Sequence, residues 1–337
     1  MNIDSYSFYD NYSGHPVGAL KAVVDGLRQS KDSLIYLVGD SSLDNKYWFG
    51  YQERAVNGYE TLLQPAFSRC DVAHHVNREL ATRDPSRACV NAAVEASSLN
   101  GRSMGFLQEH DCLVRDTIRP EDVLVVSVGG NDIALTPVLC TCFNVVPLLC
   151  FGACCGSLID RCTCACPPDV YTPLCGYSDC GCCCCGLPGC LVGLCGFPPG
   201  LGYFVDLFGN RVRSYVSRIV AKTKPKLVVI CMIYFLDVHG RGSWADATLS
   251  LLGYNCAPHL LQKAIRTVFE YGTKRISIPG TKVLPFALYD VIDGTDTNDF
   301  VQRVEPSVQG GSKMAAALVD AILNAEAVAA AAQEGGR

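Results

Sequence analysis

Residues 39–45 read Gly39-Asp40-Ser41-Ser42-Leu43-Asp44-Asn45, directly after the apolar run Leu34–Val38. A serine hydroxyl between a buried strand and a helix lies where backbone N–H groups and the helix dipole favour negative charge. Nucleophilic catalysis needs that setting: an activated hydroxyl with amides beside it to hold the developing oxyanion. The same residues also make an ordinary helix cap, so Ser41 alone decides nothing. Two further segments share its character. Asn91-Ala92-Ala93-Val94-Glu95-Ala96 and Gly129-Gly130-Asn131-Asp132 each follow an apolar run and combine small residues with polar groups. Such turns let the backbone approach a ligand closely.

The elements that must position these turns are read from continuous apolar runs, the pattern of strands buried on both faces. They are Leu34–Val38, Ala88–Asn91, Val123–Val128 and Leu227–Ile233, with a weaker fifth at Arg275–Ile278 followed by Val283–Leu288. Helical spacing occupies Gly58–Leu80, Arg102–His110, Leu207–Ala221, Pro258–Tyr271 and Ser312–Asn324. Alternation of this kind predicts βαβ units and an α/β fold, a three-layer flavodoxin-like parallel sheet of about five strands with helices on both faces. Ligands in such sheets bind beyond the carboxyl ends of the strands, where the three polar turns converge.

In order and spacing, GDSS at 39–42, VNAA at 90–93 and GGND at 129–132 resemble the first three blocks of the SGNH (GDSL-type) hydrolase family. The resemblance covers most of the chain outside residues 140–200. It implies that Ser41 is the nucleophile, and that the Ser41 N–H, the Ala96 N–H and the Asn131 side-chain amide form the oxyanion hole. Ala96 stands where the family has glycine. Asp40 and Asp132 match positions that shape the turns. The family's last block, Asp-x-x-His-Pro before the final helix, becomes Gln302-Arg303-Val304-Glu305-Pro306. Three accounts stay open. Glu305 acts as base with a pKa raised by burial; His239, just past the fourth strand, reaches Ser41; or the chain is a non-hydrolytic relative. Asp44, Asn45 and Trp48, shortly after Ser41, are expected at the substrate pocket. Asp293, Asp296 and Asp299 suit either an orienting carboxylate or plain turn chemistry.

Composition limits the alternatives. Of 337 residues 49% are hydrophobic and 18% charged, which excludes extended disorder, and a net charge of −5 argues against a nucleic-acid partner. Sixteen of the 21 cysteines lie between Cys140 and Cys195. Cys70, Cys89, Cys112, Cys231 and Cys256 are scattered and read as small buried hydrophobes. The N-terminal residues have no apolar core of a secretory signal, so a cytoplasmic location is expected. The clustered cysteines are compatible with zinc binding, with a packed lid, or with membrane contact through S-acylation.

The sequence therefore predicts one hydrolase-like domain from residues 1–139 and 201–325, an insertion at 140–200 and an Ala-rich tail at 326–337. The expected activity is cleavage of an acyl ester or thioester, by a protein that contacts a membrane through the insertion and needs neither metal nor cofactor. The alternative is an inactive lipid- or acyl-binding protein.

Overall fold

The computed structural model describes residues 2–50, 52–103, 106–134, 139–154, 162–165, 193 and 196–334. Five strands form its central sheet: β1 (Ser33–Gly39), β2 (Arg87–Asn91), β3 (Val123–Ser127), β4 (Leu227–Met232) and β5 (Lys282–Ala287). Their order is β2-β1-β3-β4-β5 and every pairing is parallel. That is the flavodoxin-like doubly wound order. Register aligns the carboxyl ends, with Ser127 beside both Gly39 and Cys231, so the turns leave the sheet at one level.

Strands β1 to β4 are buried because both faces are covered, whereas β5 at the edge is only partly buried. Leu34, Tyr36 and Val38 of β1 face one core with α1 (Val17–Leu27), α3 (Glu109–Thr117), α5 (Val212–Ile219) and α6 (Pro258–Tyr271). Ile35 and Leu37 face a second core with α2 (Val72–Arg83) and α7 (Val308–Glu334). Helical periodicity selects the inward stripes: Leu20, Val23, Val24 and Leu27 on α1, and Met314, Leu318, Val319 and Ile322 on α7. By length and composition alone α7 could cross a membrane, but these residues seat it on α2 and the sheet.

Several sequence expectations change. The fifth strand is Lys282–Ala287, whereas Arg275–Ile278 is a short turn of helix followed by irregular chain. Residues 58–71 hold only a 3-10 turn, Tyr59–Thr61, and two short strands, Leu63–Gln64 and Phe67–Arg69. Asp71 caps α2 by accepting the His74 N–H at 2.8 Å, and the helix starts there. The helix expected at Arg102–His110 divides into Leu99–Ser103 and α3. α7 runs to Glu334, so the Ala-rich stretch continues the helix. Cys70, Cys89 and Cys231 are buried as expected, but Cys112 is only partly buried and Cys256 is exposed. Of the insertion at 140–200, the described part is chiefly α4 (Leu139–Cys154); residues 155–161, 166–192 and 194–195 lie outside the described residues.

Candidate active site

Gly39 ends β1 with φ +139°, and a Cβ there would come within 1.7 Å of the Ser127 carbonyl oxygen. Only glycine fits, and the chain turns abruptly into Asp40 and Ser41. The segment after Ser41 is a turn and then a short 3-10 helix, Lys46–Trp48, in place of the regular helix expected from the sequence. The turn closes when the Asp40 carbonyl accepts the N–H groups of Leu43 (3.1 Å) and Asp44 (3.0 Å). Asp40 Oδ1 accepts from the Ser42 N–H at 3.1 Å and the Ser42 hydroxyl at 2.7 Å. The Ser41 N–H is left with no partner among the described residues.

The second turn brings Ala96 beside Ser41. Ala96 has φ +59°, the left-handed region where a Cβ costs about 1 kcal/mol. This is the position of the family's glycine, and the backbone keeps a glycine-like conformation around an alanine. The Ala96 N–H also has no partner among the described residues. Asn131, after β3, donates its side-chain amide to the Ser97 carbonyl at 2.9 Å. Buried Arg102 ties the turns together, donating to the Gly39 carbonyl (2.6 Å) and the Ser97 hydroxyl (2.9 Å) while paired with Asp111 (2.6 Å).

Glu305 reaches this group from a two-residue strand, Glu305–Pro306, paired antiparallel with Phe300–Val301. Its backbone is held on both sides: Tyr234 donates to the Val304 carbonyl at 2.7 Å and Asn45 Nδ2 to the Pro306 carbonyl at 3.0 Å. Glu305 is 6% exposed, and its Oε2 has no hydrogen-bond partner among the described residues. Burial, reinforced by the nearby Glu95 carboxyl, pushes its pKa up to about 8. A hydrogen bond from the Ser41 hydroxyl opposes that rise, and Asp40 and Asp44 add to it.

Glu95 is the residue that sequence reasoning missed. It is 2% exposed; its Oε1 accepts the Trp48 indole N–H at 2.9 Å and its Oε2 has no partner among the described residues. Burial and then Asp44 raise its pKa to about 7, against the opposing effects of Trp48, Lys46 and Tyr12. The one available signal was an acidic residue next to Ala96 in an otherwise apolar VNAAVEA segment.

Ser41 stands between two cavities. One, of about 720 Å³ including its open mouth, is apolar, with Ile133, Ile233, Leu252, Leu261 and Ile265 in its wall. The other, of about 480 Å³, is lined by Tyr12, Trp48, Glu95 and Trp244. Ser41, Asn131, Trp244 and Glu305 line both, and Ala96 lines the second. Trp48 is therefore at the pocket as expected.

Asp44 and Asn45 are not pocket residues: both are fully buried supports. Asp44 pairs with Lys46 at 2.7 Å and accepts the N–H groups of Gly14 (2.7 Å) and Glu95 (2.9 Å). Asn45 links the Pro306 carbonyl to the Val72 N–H (3.2 Å). Proximity in sequence suggested a rim, but after a tight turn these side chains point into the protein. His239 also falls outside the group. It sits on an exposed turn, its backbone N–H held by Asp237 Oδ1 at 2.8 Å, and it lines neither cavity.

The other acidic candidates shape backbone. Asp132 accepts the N–H groups of Leu99 (2.7 Å) and Asn100 (2.8 Å), starting a neighbouring helix rather than its own. Asp293 accepts from Thr295, Asp296 caps Thr297–Asp299, and Asp299 holds Lys313 and Gln309. Outside both cavities, Glu53, Cys70 and His74 place possible metal-ligand atoms within 4.8 Å of one another, although Glu53 is exposed.

No family model and no curated protein matches the chain. Among solved structures it is similar to a protein described as a GDSL-like lipase from Parabacteroides merdae ATCC 43184, with 12% identity, TM-score 0.40, and 87% of this chain and 96% of that one covered. An acetyl xylan esterase from Geobacillus stearothermophilus gives 10% identity, TM-score 0.40, and coverage of 87% and 95%. A phospholipase A1 from Streptomyces albidoflavus NA297 gives 12%, 0.37, and 83% and 94%. At these identities and scores, function rests on the site's own geometry.

Proposed function

We propose that the protein is an SGNH-type serine hydrolase of acyl esters or thioesters in which Glu305 replaces histidine as the base. The supporting observation is the meeting of Ser41 and the buried Glu305 carboxyl between two cavities, beside the N–H groups of Ser41 and Ala96 and the Asn131 amide. An ordinary carboxylate is too weak a base for a serine hydroxyl, and a pKa pushed up to about 8 brings Glu305 into a useful range.

In this mechanism ionised Glu305 takes the Ser41 proton as Oγ attacks the substrate carbonyl. The tetrahedral oxyanion accepts hydrogen bonds from Ser41 N–H, Ala96 N–H and Asn131. Protonated Glu305 then gives its proton to the departing alkoxide or thiolate, leaving an acyl-serine. Glu305 next deprotonates a water, which attacks the acyl-serine, and the proton returns to Ser41 Oγ as the carboxylic acid leaves. Each donor of such an oxyanion hole contributes roughly 10²–10³ in rate. Exposed Phe143, Val146 and Phe151 on α4 support contact of the insertion with a membrane surface.

Labelling with a fluorophosphonate probe tests the nucleophile. Wild type should be labelled at Ser41 and should hydrolyse p-nitrophenyl esters, with both lost in Ser41→Ala. Labelling that persists in Ser41→Ala defeats the assignment, and an unlabelled, inactive wild type favours the acyl-binding alternative.

A further inference from the structure

Building on the reading of Ser41 as nucleophile, we propose that the cavity on the Glu95 side of Ser41 holds the alcohol part of the substrate and selects one carrying a positive charge, an ester of an amino alcohol. The two cavities divide the ester between them. The apolar one, walled by Ile133, Ile233, Leu252, Leu261 and Ile265, suits an acyl chain. The leaving group then faces Tyr12, Trp48, Glu95 and Trp244.

Three features of that second cavity point to a cation. The chain has only two tryptophans, and both line it together with Tyr12. Aromatic faces attract ammonium groups, more strongly as both are desolvated. Glu95 and Glu305 are more than nine-tenths buried, and each keeps one carboxyl oxygen without a partner among the described residues. Finally, no Lys, Arg or His is among the residues lining the cavity. Lys46, behind Glu95, is fully buried and held by Asp44 at 2.7 Å and by the Tyr12 carbonyl at 3.5 Å.

Charge decides between leaving groups. An anionic one would meet two acidic groups with no cation to offset it. A neutral polyol would leave their mutual repulsion in place. A cation relieves that repulsion, and thereby favours the ionised form of Glu305 that the reaction requires. Among the groups facing the pair, Asp40 and Asp44 act in the same sense as that repulsion, whereas Lys46 and the Tyr12 hydroxyl oppose it at Glu95. The substrate's own charge would thus help to ionise its base. Tyr12 and Trp244 are each 44% exposed at the cavity mouth, which leaves a way in.

Trp48 belongs to this cavity and Trp244 borders both, so tryptophan emission senses either one, and comparison of choline with its uncharged isostere isolates the charge-dependent site. Choline should change the emission saturably in Ser41→Ala, whereas its uncharged isostere 3,3-dimethylbutanol should not at tenfold higher concentration. Glu95→Gln, which can still accept from Trp48, should weaken choline binding at least tenfold. In wild type, butyrylcholine should exceed 3,3-dimethylbutyl butyrate at least tenfold in kcat/KM at pH 7, and Glu95→Gln should bring that ratio towards one. Equal binding of the neutral alcohol, binding of glycerol in preference to choline, or choline binding unaltered by Glu95→Gln overturns the proposal. Choline binding without hydrolysis of either ester upholds the cation site and removes the hydrolase reading. Hydrolysis of both esters at equal rates does the reverse.

Discussion

Glu305→Gln separates the chemical role of this carboxyl from its structural one. In the folded protein burial holds the Glu305 pKa near 8 against an ordinary value of 4.5. The folded state therefore keeps a proton that the unfolded chain gives up. The stability this provides is fully present below about pH 4.5 and is lost as pH rises through about 8. Between pH 5 and pH 9 the loss is on the order of 4 kcal/mol, at about 1.4 kcal/mol per pH unit across the interval separating the two values. Glu95 titrates in the same cavity and shares in it, so the figure belongs to the pair as much as to Glu305. Glutamine keeps the shape and has no proton to lose. Urea titrations at pH 5, 7 and 9 should show wild type weakening steeply and Glu305→Gln much less, until the variant is the more stable protein at pH 9. Over the same range wild-type kcat/KM for a neutral ester should rise with an apparent pKa near 8, while Glu305→Gln should be slower by roughly 10²–10⁴. Parallel stability curves would show that Glu305 does not titrate as described. Full activity in the variant would remove it as the base.

Three other substitutions address the surrounding parts. Asn131→Ala should lower kcat by roughly 10²–10³ while costing only about 1 kcal/mol for its bond to the Ser97 carbonyl; a folding defect that accounts for the lost rate would make it structural. Asp44→Ala strands the Lys46 ammonium in the interior and should destabilise by about 3–5 kcal/mol in chemical denaturation, an effect a pocket-rim residue would not have. His239→Ala should leave kcat and its pH profile unchanged, because the side chain is exposed and lines neither cavity; an inactive variant would move the base away from Glu305.

The legible parts of this protein are those that short-range chemistry fixes. Runs such as Val123–Val128 and Leu227–Ile233 can only be strands covered on both faces, and four of the five sheet strands lie within two residues of the expected limits. The turns at Ser41, Ala96 and Asn131 were visible because each joins a small residue to a polar group at a strand end. Side-chain direction after those turns was not legible. Trp48 and Asp44 are four residues apart in one turn, yet Trp48 reaches Glu95 in the cavity and Asp44 is buried beneath it. The fifth strand was ambiguous because two apolar stretches lay side by side, and only pairing with Leu227–Met232 selects Lys282–Ala287.

Glu95 was hidden for a different reason: its significance lies in its distance from Glu305 in sequence. A lone glutamate after a buried strand reads as a turn residue. Opposite a second buried carboxyl it becomes a source of repulsion that raises the Glu305 pKa, while burial and Asp44 raise its own. This pairing offers a physical answer to the missing histidine. A carboxyl placed where an imidazole is expected has the wrong acidity by several pKa units, and either deep burial or a neighbouring negative charge can correct it. The fold uses both, and it holds the two glutamates through one loop. Asp44 accepts the Glu95 N–H, while the adjacent Asn45 donates to the carbonyl of Pro306 next to Glu305. The turn that presents Ser41 thus also sets the positions of the two carboxyls beside it, so in the proposed mechanism Glu305 is positioned through the loop that carries Ser41 and not through Gln302, which stands where the resemblance implies an orienting aspartate.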